Sequence, residues 1–152
     1  MKDPLRLYLP KVKHGESFEL GTSQQKHVKV LRLTSGDSCE IFDGIGNLFQ
    51  GELKIEKRST SVLVQELLKH EEQTNHLVVA IAPTKNIARF EWFIEKATEL
   101  GVQKIISFTS FHSERTNLNQ ERLNRVVESA ASQSKELGVP EVSDLISFSE
   151  LL

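Results

Sequence analysis

Through residues 5–67 apolar and polar positions alternate in short stretches, whereas from residue 77 onward they group with a longer period. Segments 5–9, 17–20, 38–42, 48–55 and 61–67 are each of strand length. Several show the every-second-residue alternation of a sheet with one face packed and one face wet. Asp43-Gly44-Ile45-Gly46-Asn47 has the composition of a hairpin loop, and Thr34-Ser35-Gly36-Asp37 that of a second turn. One short helix interrupts the strands: Thr22 and Gln25 have capping-box spacing, and Val28 with Leu31 supplies a small apolar stripe. Short strands in this number with a single helix predict a compact β barrel.

The pattern changes at His70-Glu71-Glu72-Gln73-Thr74-Asn75, a polar bridge. Leu77-Val78-Val79-Ala80-Ile81-Ala82 is a continuous apolar run, as expected of a strand covered on both faces. Asn86 is placed to cap a helix whose apolar side carries Ile87, Phe90, Phe93, Ile94, Ala97 and Leu100, with Gly101 to end it. Residues 104–108 supply the next strand, completing a βαβ unit. A second helix is expected over about 120–137, with Leu123, Val126, Val127, Ala130 and Leu137 inward and Gly138 and Pro140 as stop signals. A further strand is expected near Glu141-Val142, and Ser147 with Glu150 has capping-box spacing ahead of Leu151 and Leu152. The chain therefore reads as a two-domain α+β protein: a β barrel over residues 1–72, then a parallel-sheet α/β domain over residues 73–152. A parallel sheet needs several strands and cover on both faces. With so few strands the second domain is expected to be incomplete, the amino-terminal portion of a longer protein.

Composition narrows the function classes. Of 152 residues, 38% are hydrophobic and 26% charged, ordinary for a globular chain and too apolar for a disordered one. No apolar run has the length to span a bilayer, and Met1-Lys2-Asp3-Pro4 lacks a signal peptide's apolar stretch. Cys39, the single cysteine, lies in a strand pattern, which fits a packed thiol and a reducing cytoplasm. The net charge of −2 argues against holding nucleic acid by bulk electrostatics, but leaves local basic clusters at Lys26, Lys29, Arg32 and at Lys54, Lys57, Arg58. There is no Walker-type loop and no Gly-x-Ser-x-Gly elbow. Gly44-Ile45-Gly46 lacks the third glycine and following helix of a dinucleotide fingerprint. The five histidines show no metal-ligand spacing.

Chemistry is then left to the loops of the α/β segment. The first strand ends in Pro83-Thr84-Lys85-Asn86 with Arg89 a helical turn on, and the second ends in Ser110-Phe111-His112-Ser113-Glu114-Arg115-Thr116. If the strands are parallel, both loops sit at one sheet edge and bring Lys85, Arg89 and Arg115 toward one crevice suited to an anionic or RNA ligand. Solvated loop charges explain the same residues equally well.

Several blocks, in order along the chain, carry a resemblance. They are Lys29-Val30-Leu31-Arg32-Leu33 with Gly36-Asp37, Phe42-Asp43-Gly44, Lys85, Arg89-Phe90-Glu91-Trp92, and Glu95-Lys96-Ala97-Thr98-Glu99-Leu100-Gly101-Val102. Ser113-Glu114-Arg115, Glu128-Ser129-Ala130-Ala131-Ser132-Gln133-Ser134 and Val139-Pro140 continue the series. Together they resemble the RsmE family, methyltransferases of N3 of a uridine in 16S ribosomal RNA of the small subunit. The resemblance implies a PUA-like barrel that helps bind RNA, a SPOUT-type α/β domain, S-adenosylmethionine as cofactor, a homodimer and a cytoplasmic location. The family's Gly-Pro-Glu-Gly-Gly loop and Leu-Gly-x-x-Ile-Leu-Arg-x-Glu-Thr-Ala segment, which hold the cofactor in a carboxyl-terminal knot, do not occur in these residues. This segment is expected to hold no cofactor site and to be inactive alone.

Methylation at N3 requires the imide to lose its proton, so cations that stabilise the developing anion suit the site. The resemblance makes Arg89 and Lys96 candidates for catalysis. It makes Arg6, Lys29, Arg32, Lys85, Glu114, Arg115 and Gln133 candidates for contact with RNA. Lys96 and Glu99, both on a helix, serve equally well as parts of the fold or of a dimer interface. Two rival readings stand beside the enzyme: a non-catalytic RNA-binding module, and a metabolite-binding α/β protein without an RNA role.

Overall fold

The computed structural model describes residues 4–74 and 76–152. The extreme amino terminus, 1–3, and Asn75 at the end of the polar bridge lie outside the described residues. The chain divides into two compact units, Met1–Glu72 and Gln73–Leu152.

In the first unit, β1 (Arg6–Tyr8), β2 (Ser17–Glu19), α1 (Thr22–Val30), β3 (Ser38–Phe42), β4 (Asn47–Ile55) and β5 (Thr60–His70) follow in order. The strands form one mixed sheet in the order β1-β3-β4-β5-β2, with β1 and β3 parallel and the other pairs antiparallel. Leu7 of edge strand β1, Leu20 just past edge strand β2, Val28 of α1, and Ile41, Leu53, Val62 and Val64 of the central strands are buried in a single cluster. Both edges can feed one core only if the sheet curls on itself, the barrel-like arrangement expected from the alternation. Gly51 permits the curl. A Cβ there would lie 2.6 Å from Ile41 Cδ1, 2.8 Å from Val62 Cγ2 and 2.9 Å from Cys39 Sγ.

The hairpin between β3 and β4 forms as its composition predicts: Asp43 Oδ1 accepts from the N–H groups of Ile45 at 2.9 Å and Asn47 at 3.0 Å. The helix cap is shifted from its expected place. Gly21, not Thr22, is the N-cap, and its N–H donates to Gln24 Oε1 at 3.0 Å, while the Gln25 amide reaches back to the Leu20 carbonyl at 2.7 Å. The same three-residue spacing joins Gly21 to Gln24 and Thr22 to Gln25, and the helix takes the earlier pair.

The second unit runs β6 (Val78–Ile81), α2 (Ile87–Glu99), β7 (Lys104–Thr109), α3 (Gln120–Ser134), β8 (Glu141–Val142), β9 (Ile146–Ser147) and α4 (Phe148–Leu151). All pairings are parallel, with β7 between β6 and β8, and β9 continuing along β7 where β8 leaves off. Phe90, Ile94 and Ala97 of α2 and Leu123 and Val127 of α3 pack on Ile105 and Val142 of the sheet. Asn86 caps α2 by accepting from the Ala88 N–H at 3.0 Å, and Asn119 caps α3 by accepting from the Arg122 N–H at 3.0 Å. Ser147 and Glu150 form the expected box at α4. Its hydrogen bonds to Ser147, from the hydroxyl and then the backbone, hold the Glu150 carboxyl below its usual range.

Three expectations fail here. β6 is not covered on both faces: Val79 and Ile81 turn toward the helices, but Val78 and Ala80 are exposed, because α2 and α3 share one core on the other side. Leu100 is not inward. The helix ends at Glu99, Gly101 takes the left-handed conformation at φ 74°, and Thr98 fills the buried position, donating its hydroxyl to the Ile94 carbonyl at 2.8 Å. Finally, α3 stops at Ser134 because Lys135 adopts φ 64°, short of Gly138; Leu137 still reaches the interior from the segment that follows. Among the described residues no helix is long and apolar enough to cross a membrane.

Candidate functional site

The loops after β6 and β7 both leave the carboxyl ends of parallel strands, the edge at which α/β sheets bind ligands. Pro83 is buried at the start of the first loop, and the Thr84 hydroxyl donates to the Asn86 carbonyl at 2.7 Å, giving the loop a fixed path into α2. Arg115 ties the second loop to it. Its Nε donates to the Thr84 carbonyl at 3.2 Å and a terminal nitrogen donates to the Lys85 carbonyl at 2.7 Å. Lys85 Nζ and Glu114 pair across the gap at 2.9 Å, with the lysine side chain 83% exposed. A cleft of about 290 Å³ opens among Lys85, Glu114, Arg115, Thr116 and Asn117. An exposed ion pair of this kind is worth roughly 0–1 kcal/mol, so a phosphate or carbonyl oxygen can replace Glu114 at little cost.

Lys85, Glu114 and Arg115 are thus brought together, and Arg89 is not among the residues lining their cleft. Arg89 lies on the exposed side of α2, one residue before the buried Phe90, and its guanidinium makes no ion pair or side-chain hydrogen bond among the described residues. Lys96 sits between Glu95 at 2.9 Å and Glu99 at 2.9 Å; the hydrogen bonds it donates to Glu95 first and Glu99 second raise its pKa. An ammonium so held is a cation and not a proton acceptor. Gln133 lines a different cleft, of about 320 Å³, between α2 and α3, together with Glu91, Glu95, Arg122, Arg125 and Ser129.

In the first unit Lys29 and Arg32 are exposed at the end of α1, where Arg32, in the left-handed region at φ 56°, donates its N–H to the Lys29 carbonyl at 3.0 Å. Cations at a helix carboxyl end also complement its dipole, which is reason enough for their presence. Arg6 differs. Its side chain is only 7% exposed, pairs with Glu40 at 3.3 Å and lies over the Phe42 ring at 4.9 Å from the centroid. In this conformation it is not presented to a ligand.

Residue-level reasoning missed the ion pair of Glu91 with Arg122. The guanidinium meets both carboxylate oxygens, at 2.5 and 3.0 Å, joining α2 to α3 beside the second cleft, and the hydrogen bond to Glu91 raises the Arg122 pKa. Glu91 stood in a quoted block, but nothing in the spacing pointed to a partner so far along the chain.

A family model described as an RNA methyltransferase domain matches residues 70–152, and one described as an RNA methyltransferase PUA domain matches residues 20–65. The protein named Ribosomal RNA small subunit methyltransferase E from Rickettsia conorii is 30% identical over 97% of this chain and 62% of its own length. Its namesake from Bacillus subtilis is 27% identical over 97% of this chain and 61% of its own length. The chain thus spans about three fifths of these curated relatives. Among solved structures, a probable rRNA-methyltransferase from Porphyromonas gingivalis superposes with a TM-score of 0.83 at 30% identity, over 97% of this chain and 62% of that one. A Ribosomal RNA small subunit methyltransferase E from Neisseria gonorrhoeae, bound to S-adenosyl methionine, shares the fold with a TM-score of 0.79 at 24% identity, over 98% of this chain and 64% of that one. A curled PUA-like sheet followed by a parallel α/β unit with cationic strand-end loops defines a two-domain protein of the SPOUT type. The chain belongs to the RsmE family of RNA methyltransferases.

Proposed function

We propose that this chain supplies RNA binding and part of the active-site crevice for a cytoplasmic, homodimeric enzyme that methylates uridine N3 in 16S ribosomal RNA, with S-adenosylmethionine as donor. The observation that carries this reading is the Arg115 brace. It holds the loops after β6 and β7 together with the Lys85 ammonium at their mouth, in a chain whose two units match RNA methyltransferase models in the right order. Lys85 is suited to meet a phosphate or a uracil carbonyl oxygen, where a cation favours the N3 anion that attacks the methyl group. Arg115, with two donors on backbone carbonyls, acts mainly by fixing the loop. Arg89 and the Lys29–Arg32 corner are further exposed points for the RNA backbone.

The cleft beside Lys85 does not fit the methyl donor. It is lined by Lys85, Glu114, Arg115, Thr116 and Asn117 and offers no apolar wall for an adenine ring. No step is therefore routed through the donor on these residues. This polar, open cleft also favours the second reading, in which the segment by itself is a non-catalytic RNA-binding module.

Two measurements test these proposals. Small ribosomal subunits from a strain lacking the gene are incubated with the complete gene product and labelled S-adenosylmethionine, and the digested RNA is analysed by mass spectrometry. N3-methyluridine is expected, and methyl groups at another position refute the assignment. Isothermal titration of these 152 residues with S-adenosylmethionine is expected to show no binding. Measurable heat with a defined stoichiometry would contradict the absence of a donor site in the segment.

A further inference from the structure

Phe111 is 96% exposed, the most exposed aromatic side chain of the described residues, and nothing in the packing of the second unit uses it. It stands at the tip of a tight turn. The Ser113 N–H donates to the Ser110 carbonyl at 3.0 Å, closing the four-residue turn, and the Ser110 N–H donates to Ser113 Oγ at 2.8 Å, locking the same corner from its side chain. Phe111 and His112 occupy the two central positions, so both rings are held out from the loop. They meet edge to face, with centroids 5.0 Å apart and planes at 87°. One ring buttresses the other without the two stacking face to face.

Immediately after this turn comes Glu114, paired with Lys85, and then Arg115, whose guanidinium anchors the loop to the carbonyls of Thr84 and Lys85. The aromatic corner is therefore carried by the loop that bears the candidate RNA contacts, and it is fixed at its base. An enzyme acting on a base edge must take that base from the stack, and unpaired bases so released are commonly received on aromatic rings. Stacking needs only a π face, while a neighbouring cation meets the backbone phosphate.

We propose that the Phe111–His112 turn is a stacking shelf for an unpaired nucleobase of the RNA, with Phe111 the stacking ring and His112 its support. The proposal rests on the RNA reading given above and adds a binding element to it. The ligand class is single-stranded RNA, because in a duplex the base faces are covered by their neighbours.

The test is fluorescence anisotropy of a short fluorescein-labelled oligouridylate with this chain, across a series of salt concentrations. Phe111→Ala is expected to weaken binding about five- to a hundredfold. Phe111→Trp should bind at least as well as the parent. Phe111→Leu, apolar but without a ring, should not restore affinity. The salt dependence should keep its slope in Phe111→Ala and become shallower in Lys85→Ala, since only the lysine releases a counterion. Parent protein that binds RNA while Phe111→Ala binds equally well overturns the shelf and leaves the RNA reading standing. Parent protein with no RNA affinity overturns both. Unchanged RNA affinity with altered sedimentation of Phe111→Ala would assign the ring to a protein contact and also overturn the shelf.

Discussion

The two units bury their apolar residues in different ways. In Met1–Glu72 the sheet curls until residues at both of its edges and from α1 meet in one cluster, so one curved layer and a short helix enclose the core. In Gln73–Leu152 the sheet has α2 and α3 packed into one core, while Val78 and Ala80 on the alternate positions of β6 remain exposed. Curvature lets a sheet of alternating residues finish its interior with one short helix. A parallel sheet with apolar residues on both faces needs a layer on each.

The largest effect is expected where α2 and α3 pack on the sheet of the second unit. Phe90→Ala should cost about 3–5 kcal/mol, read as a lower urea midpoint by far-ultraviolet circular dichroism, because the ring is 1% exposed and its neighbours cannot close the void. A cost near zero would mean that this face is not a true core. In the first unit the weak point is crowding. Gly51→Ala should destabilise by about 1–3 kcal/mol, since the new methyl meets Ile41, Val62 and Cys39 inside ordinary contact distance and all three are buried. A neutral Gly51→Ala would show that the curl has slack.

Glu91→Gln removes half of the α2–α3 ion pair and should lower the urea midpoint by less than either core change, with salt reducing the difference. Burial first, and the nearby Glu40 charge second, push the Cys39 thiol up to about 12 from 9.0. The thiol should resist iodoacetamide at mild alkaline pH until the first unit opens, so alkylation followed by mass spectrometry reports on that unit alone. Since its folded pKa is the higher one, the stability it contributes is complete below pH 9.0 and is lost as pH rises through about 12. Rapid labelling of native protein would contradict the closed core. The smallest effect sharpens the contrast most: Val78→Ser should change stability by under about 0.5 kcal/mol, because the side chain is already exposed. A loss as large as that of Phe90→Ala would mean that the open face is covered in solution.

Much of the candidate site was legible because it is local. The cap at Asn86, the end of α2 at Gly101 and the Ser147–Glu150 box all rest on groups within four residues of one another, and each formed where its spacing indicated. The parallel pairing of β6 with β7 followed from the strand-helix-strand pattern and placed Lys85 and Arg115 at one edge. Arg89 was grouped with them by its place one helical turn past the strand end and by the resemblance; it is exposed on α2 and does not line the cleft of Lys85 and Arg115. Arg6 stood on a strand that reads as half exposed, yet Glu40 on the paired strand and the Phe42 ring hold it inside.

The amino-acid sequence by itself determined the elements other than the short strand β9, their order, the change from curled to parallel sheet and the family, since these depend on periodicity, turn chemistry and blocks of residues read in line. Tertiary structure alone decided that Arg115 holds backbone carbonyls some thirty positions earlier, that Glu91 finds Arg122, and that Phe111 stands clear of every core. Such contacts depend on where side chains end once strands and helices are packed, and a linear pattern carries no record of distance across the fold.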